Sequence, residues 1–222
     1  GFAHVSCLAR GAQAAVERGA QKGWKRWRTC GLCEQKYHGV VACALGWACW
    51  KTYLGRPEMG WIRQGAMNLL GNGLFAAEQI EDALNVEEAR LSSMRRLGDS
   101  EHNILIAQGN IANSYEALGR NEEAGHLRQD VYFRRLRLNG EEHRETLVEA
   151  NNYALSLLKV SRFIASKSLL RETIPVARRV LGERNDTTLK MRLHYATVLY
   201  KNHGATLDDL REAVTTLEET ER

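Results

Sequence analysis

Four side chains near the start of the sequence have the types and spacing to hold a metal. His4-x-x-Cys7 and Cys30-x-x-Cys33 form two pairs separated by 22 residues. Each pair is the arrangement by which a loop or helix end presents two donors to one tetrahedral zinc. The other cysteines, Cys43 and Cys49, lie in the apolar run Val40–Trp50 with Trp47 and Trp50, where a thiol serves as a small hydrophobe rather than a nucleophile. Five Cys in all make an odd number without a regular framework. That usage points to a reducing, intracellular compartment, the cytoplasm foremost, rather than a cross-linked secreted fold.

The remaining chemistry is thinner. Lys22-Gly23-Trp24-Lys25-Arg26-Trp27-Arg28 interleaves cations with indole rings, the pattern of a single-strand nucleic-acid platform. One short patch on a chain of net charge +4 makes no nucleic-acid partner obligatory, and none is expected. Gly71-Asn72-Gly73 lacks the preceding strand and third glycine of a phosphate loop, and reads as close helix packing or a weak point in a helix. The sequence has no HExxH, Gly-x-Ser-x-Gly or P-loop pattern, so no catalytic residue is assigned. Val40–Trp50 falls short of the roughly 18–20 apolar residues that cross a bilayer and is expected to be a buried helix. The chain opens on Gly1 without Met; it reads as a piece of a longer protein, and any targeting segment is beyond reach.

The elements that position these residues follow from length and period. With 222 residues, 44% apolar and 26% charged, the chain can bury a core without disulfides. Two Pro against 19 Gly leave long stretches open to helix. Gly98, Gly140 and Gly182 lie 42 residues apart, each followed seven residues later by Leu105, Leu147 or Leu189, and Asn68, Asn110, Asn152 and His194 keep the same interval. Within a unit, Leu118-Gly119-Arg120 aligns with Val160-Ser161-Arg162, where a helix-to-helix turn needs a C-cap. Leu105, Ala112, Tyr115 and Leu118 share one helical stripe, and Ala124, Leu127 and Val131 another. Each unit is therefore a helical hairpin, and hairpins must stack to cover their apolar faces. The last unit is looser, with an insertion around Asn202-His203-Gly204, and Pro175 is expected to kink the second helix of the unit before it.

The 42-residue unit, the connector Asn139-Gly140-Glu141-Glu142-His143-Arg144-Glu145-Thr146-Leu147 and the Leu-Gly-Arg turn resemble tetratricopeptide (TPR) repeats of the kinesin light chain type. The resemblance covers about residues 60–222. It implies an all-α fold, an α-α superhelix, with about four hairpins over 59–222 whose first helices line a concave groove suited to a partner segment. Binding a protein or peptide, as a scaffold or as a subunit of a larger complex, is then the expected work. A side-chain amide can both donate to and accept from a peptide backbone; the resemblance implies that the Asn68, Asn110, Asn152 and His194 position faces the peptide. The alternative is that these amides are structural rungs between helices. Arg120 and Arg162 near the same surface could steer an acidic segment.

Residues 1–58 lack the repeat and hold all five Cys and four of the five Trp, which marks them as a separate module. Their two ligand pairs, with Trp27-Arg28-Thr29-Cys30 and Tyr37-His38-Gly39, resemble the second half of a RING-CH (RING-variant) zinc finger of one class of ubiquitin ligases. That resemblance implies that His4 and Cys7 belong to one zinc and Cys30 and Cys33 to another, each site half-made without the family's four upstream ligands; the alternatives are that the four close around one zinc or hold none. The alternative function is a RING-type ubiquitin ligase whose repeats select the substrate. Either way Val40–Trp50 is expected to pack the module onto the first repeat.

Overall fold

Gly98, Gly140 and Gly182 adopt left-handed backbone angles, φ +68°, +81° and +99°, and each ends a helix, so the 42-residue spacing is a structural period. A second set of left-handed residues, Glu78, Gly119 and Ser161 at φ +62°, +73° and +58°, turns the chain between the two helices of a unit. The computed structural model describes residues 4–58, 60–202 and 204–221. His203, in the expected insertion, lies outside the described residues.

The described chain is helical nearly throughout: α1 (Val5–Arg18), α2 (Ala20–Trp24), α3 (Gly39–Tyr53), α4 (Trp61–Ala76), α5 (Ile80–Arg96), α6 (Glu101–Ala117), α7 (Asn121–Asn139), α8 (Arg144–Lys159), α9 (Phe163–Leu181), α10 (Asp186–Lys201) and α11 (Leu207–Glu221). A short 3-10 turn, Lys25–Trp27, follows α2. The β structure among the described residues is one antiparallel bridge, Thr29 to Lys36. N-caps are chosen by chemistry: Ser100 Oγ accepts from Asn103 N, His143 Nδ1 from Glu145 N and Asn185 Oδ1 from Thr187 N, each satisfying a donor that the first helical turn leaves open. α9 runs unbroken through Pro175 on its exposed side.

The chain divides into two compact units, Gly1–Leu118 and Gly119–Arg222. In the first, α3 lies along α4 and α4 along α5. The approach of α3 to α4 depends on glycine: a Cβ on Gly73 would stand 2.7 Å from Ala42 O, and one on Gly46 3.0 Å from Leu69 O. Leu45, Cys49 and Tyr53 of α3 share their core with Ala12 and Val16 of α1 and with Ala66 and Leu69 of α4. The expectation that Val40–Trp50 is buried throughout needs correction. Leu45 and Cys49 are fully enclosed, but Val40 and Trp47 are exposed, because α3 is covered by α1 and α4 on some of its sides only. In the second unit α7 packs on α8, α8 on α9, α9 on α10 and α10 on α11, around a core that includes Leu147, Leu170, Met191 and Leu199.

Candidate functional site

The repeat position at Asn68, Asn110, Asn152 and His194 falls at the middle of α4, α6, α8 and α10. In the first unit it meets a buried ion pair. Glu87 and Arg90, one helical turn apart on α5, are 2% and 7% exposed, and Arg90 Nη1 donates to Glu87 Oε2 at 3.0 Å. Asn68 Oδ1 accepts from Arg90 Nη1 at 3.2 Å, Asn110 Nδ2 at 3.1 Å and Asn72 Nδ2 at 3.3 Å. Asn110 Nδ2 also reaches Glu87 Oε1 at 3.4 Å. Burial pushes the Glu87 carboxyl above its ordinary range, and Arg90 and the Asn110 amide pull it back. Both amides thus satisfy charges that water cannot reach. With three donors on two lone pairs, Asn68 Oδ1 has no acceptor capacity left for a guest.

Beside this network a cleft of about 430 Å³ opens between α4, α5 and the start of α6, with Trp61, Gln64, Asn68, Arg90, Met94 and Asn103 in its lining. Gln64 is held by its amide nitrogen, which donates to Glu58 O at 3.0 Å and Ser93 Oγ at 3.3 Å. Tyr115, expected in the core stripe, is half-buried, and its hydroxyl donates to Glu88 Oε1 at 3.2 Å.

In the second unit the same position has other surroundings. Asn152 is half-buried and donates to Glu149 Oε2 on its own helix at 3.3 Å. His194 is half-buried with Nδ1 enclosed and without a hydrogen-bond partner. Burial, reinforced by Lys190 and Lys159, holds its pKa below the ordinary 6.5, so the ring is neutral at physiological pH. The cations expected to steer a partner are engaged locally: Arg120 Nε donates to Glu123 Oε2 at 2.7 Å and Arg162 Nη2 to Glu122 Oε2 at 3.2 Å.

The amino-terminal ligand pairs stand in two settings. His4 is the N-cap residue of α1, its Nδ1 2.7 Å from Ser6 Oγ, and Cys7 is exposed in the first turn, its sulfur accepting from Arg10 Nη2 at 3.7 Å. Cys30 and Cys33 share one turn. It is closed by Cys30 N donating to Gln35 O at 2.8 Å and Glu34 N to Cys30 O at 3.2 Å, with Leu32 N donating to Cys30 Sγ at 3.4 Å. The Cys33 and Leu32 amides, together with the Cys33 thiol, lower the Cys30 pKa. Among the described residues no three His, Cys, Asp or Glu side chains assemble into a group that could hold a metal. The turn supplies two of the four donors a tetrahedral zinc requires. Cys49 is enclosed and burial pushes its thiol pKa up, as a packing thiol requires.

The rings of the basic aromatic segment pack on the core of the first unit. Trp27 is 1% exposed, and Trp24, half-buried, packs against Tyr53 and Trp61 at centroid distances of 5.8 and 5.4 Å. Among the described residues, no helix is long and apolar enough to cross a membrane.

No protein-family model matches the chain, and no curated protein matches it. Solved structures do. A putative kinesin light chain from Podosopora anserina with nearly identical TPR-like repeats aligns at a TM-score of 0.67 and 19% identity, over 99% of this chain and 96% of that one. A single-residue variant of it gives 0.69 at the same identity, over 100% and 96%. BtubC (BKLC) from P. vanneervenii aligns at 0.62 and 13% identity, over 97% of this chain and 70% of that one. The fold is therefore a TPR-like helical repeat of the kind found in kinesin light chain proteins.

Proposed function

We propose that the protein is a scaffold that holds a segment of a partner protein against the first helices of its repeats. The observation that carries this reading is the contrast at the repeat position. All four residues are half-buried; the Asn68 and Asn110 amides are consumed by the Glu87–Arg90 pair of the first unit, whereas Asn152 keeps one hydrogen bond, to Glu149 on its own helix, and His194 Nδ1 has no partner. An amide and a neutral imidazole spaced at one repeat suit the alternating donors and acceptors of an extended backbone. The kinesin light chain TPR-like repeats that this fold resembles support a binding rather than a catalytic role. The ligase alternative requires complete zinc sites, of which Cys30 and Cys33 supply one pair.

The test is chemical cross-linking of the complex purified from the native source, read by mass spectrometry. Cross-links from the partner to α8 and α10, lost in the Asn152→Ala, His194→Ala double variant, are the expected result. Cross-links confined to other helices, or unchanged in the double variant, contradict the reading.

A further inference from the structure

A finger of the first unit, residues 28–37, holds an aliphatic side chain out in water. The finger leaves and rejoins the module through Tyr37 N, which donates to Arg28 O at 2.9 Å, and through the antiparallel bridge between Thr29 and Lys36. Its tip is closed by Cys30 N on Gln35 O and Glu34 N on Cys30 O, with Glu34 in the left-handed region at φ +57°. Trp27 and Tyr37 root it in the core shared with α1, α3 and α4. The Leu32 backbone amide turns inward to Cys30 Sγ at 3.4 Å, and the Leu32 side chain is left 97% exposed.

Cations collar this tip. A Cβ on Gly31 would stand 2.5 Å from Arg26 Nη1, so that guanidinium lies directly beside Leu32's turn. Lys25 Nζ stands 3.5 Å from Glu34 Oε1, in an ion pair whose side chains are 58% and 74% exposed and which water therefore screens. Arg28 and Lys36 flank the base and are exposed. Residues 25–37 thus set four cations against one carboxylate. The excess is local: residues 1–58 hold nine Lys and Arg against three Asp and Glu, whereas the rest of the chain holds 22 against 24.

An aliphatic tip inside a cationic collar matches the surface of an anionic bilayer. Apolar insertion and attraction to anionic headgroups are two signals that together hold a protein at a membrane, where one alone is marginal. Nucleic acid would use the cations but gains nothing from a leucine; it asks for aromatic platforms, and of the segment's two indoles Trp27 is enclosed and Trp24 half-buried. We propose that the finger docks the chain on membranes rich in anionic lipid, with Leu32 entering the boundary between headgroups and acyl chains and with Lys25, Arg26, Arg28 and Lys36 on the anionic groups around it. The proposal goes beyond the scaffold reading and uses none of its residues.

The experiment is co-sedimentation of the whole chain with vesicles of phosphatidylcholine alone and of phosphatidylcholine carrying about a third phosphatidylserine. The anionic vesicles are expected to bind about tenfold more tightly than the neutral ones, and to lose the chain as salt is raised from about 0.1 to about 0.5 M. Leu32→Ser is expected to weaken that binding severalfold, while Leu32→Met, which keeps an apolar tip, retains it. The Arg26→Glu, Lys36→Glu double variant is expected to abolish it. Ile164→Ser, at an aliphatic side chain 79% exposed on α9, is the control and leaves it unchanged. Melting curves establish that the variants are folded. Equal binding to both vesicles, binding to neither, a Leu32→Ser protein that binds as the parent does, or equal losses in Leu32→Ser and in Leu32→Met or Ile164→Ser overturns the proposal. Tighter binding of a single-stranded oligonucleotide, unaffected by Leu32→Ser, would assign the collar to nucleic acid and overturns it too. Such a failure leaves the α8 and α10 cross-links standing, and loss of those cross-links leaves the vesicle binding standing.

Discussion

The interior of the first unit and that of the second solve the same packing problem with different chemistry. Counting nine residues on from the left-handed residue of each turn, Glu78, Gly119 and Ser161, leads to Glu87 on α5, Arg128 on α7 and Leu170 on α9. All three are buried, at 2%, 4% and 0% exposure. Three residues further lie Arg90, Val131 and Thr173. In the first unit the position belongs to a closed ion pair that recruits Asn68 and Asn110. In the second, Arg128 reaches Glu149 on α8 at 3.7 Å, and Leu170 sits in an aliphatic core with Met191 and Leu199. Where α5 offers α4 a guanidinium and a carboxylate, α9 offers α8 a leucine and a threonine. The amide of Asn152 accordingly turns to its own helix. A repeated asparagine is thus a rung where it ties two helices together at a closed ion pair, and is held more lightly where, as at Asn152, it meets a carboxylate of its own helix, Glu149, that Arg128 reaches at 3.7 Å.

The sharpest way to break this comparison is at the buried pair. Glu87→Ala strands Arg90, whose side chain is 8% exposed, and is expected to destabilise the protein by about 3–5 kcal/mol in denaturant unfolding, because a buried charge without a partner is the costly half of a broken pair. A loss below 1 kcal/mol would mean that the pair is not closed to water. Arg128→Ala, at the matching place on α7, takes the cation from Glu149, whose side chain is 17% exposed and keeps the Asn152 amide. Its expected cost is smaller, about 1–3 kcal/mol. Reversal of that order would contradict the comparison.

Much of this architecture was legible in the sequence. The 42-residue spacing of Gly98, Gly140 and Gly182 announced the helix ends, and Gly119 and Ser161 the turns between paired helices, because few residues tolerate a left-handed backbone. Gly71-Asn72-Gly73 announced a close approach, found where α3 meets Gly73. The buried ion pair was not legible. Glu87 and Arg90 sit in a helix whose sequence is mostly polar, and the first turn falls one residue later in register, with Glu78 rather than residue 77 in the left-handed place. That offset shifts α5 against α7 and hides their equivalence from a search at a strict 42. A metal site could not be judged from spacing either, since spacing pairs Cys30 with Cys33 but says nothing of where α1 carries Cys7.

A gentler probe is pH. The folded-state pKa of His194 lies below its ordinary 6.5, so the unfolded chain binds the proton more tightly. Stability is undiminished above 6.5 and falls as pH drops from there toward the lower folded value. Melting temperatures are therefore expected to fall between pH 7.5 and pH 5.5. The fall is expected to shrink in His194→Asn, which restores the residue of the other three repeats; an equal fall in that variant would place the titrating group elsewhere.

The central claim, that one repeat position does two jobs, is tested most directly by measuring unfolding free energy and partner affinity together in Asn110→Ala and Asn152→Ala. The account predicts that Asn110→Ala loses about 1–3 kcal/mol of stability, by leaving Glu87 and Asn68 short of a donor, and that Asn152→Ala stays within about 0.5 kcal/mol of the parent while losing partner affinity. Equal stability losses in the two variants, or an Asn152→Ala protein that binds its partner as the parent does, would contradict it.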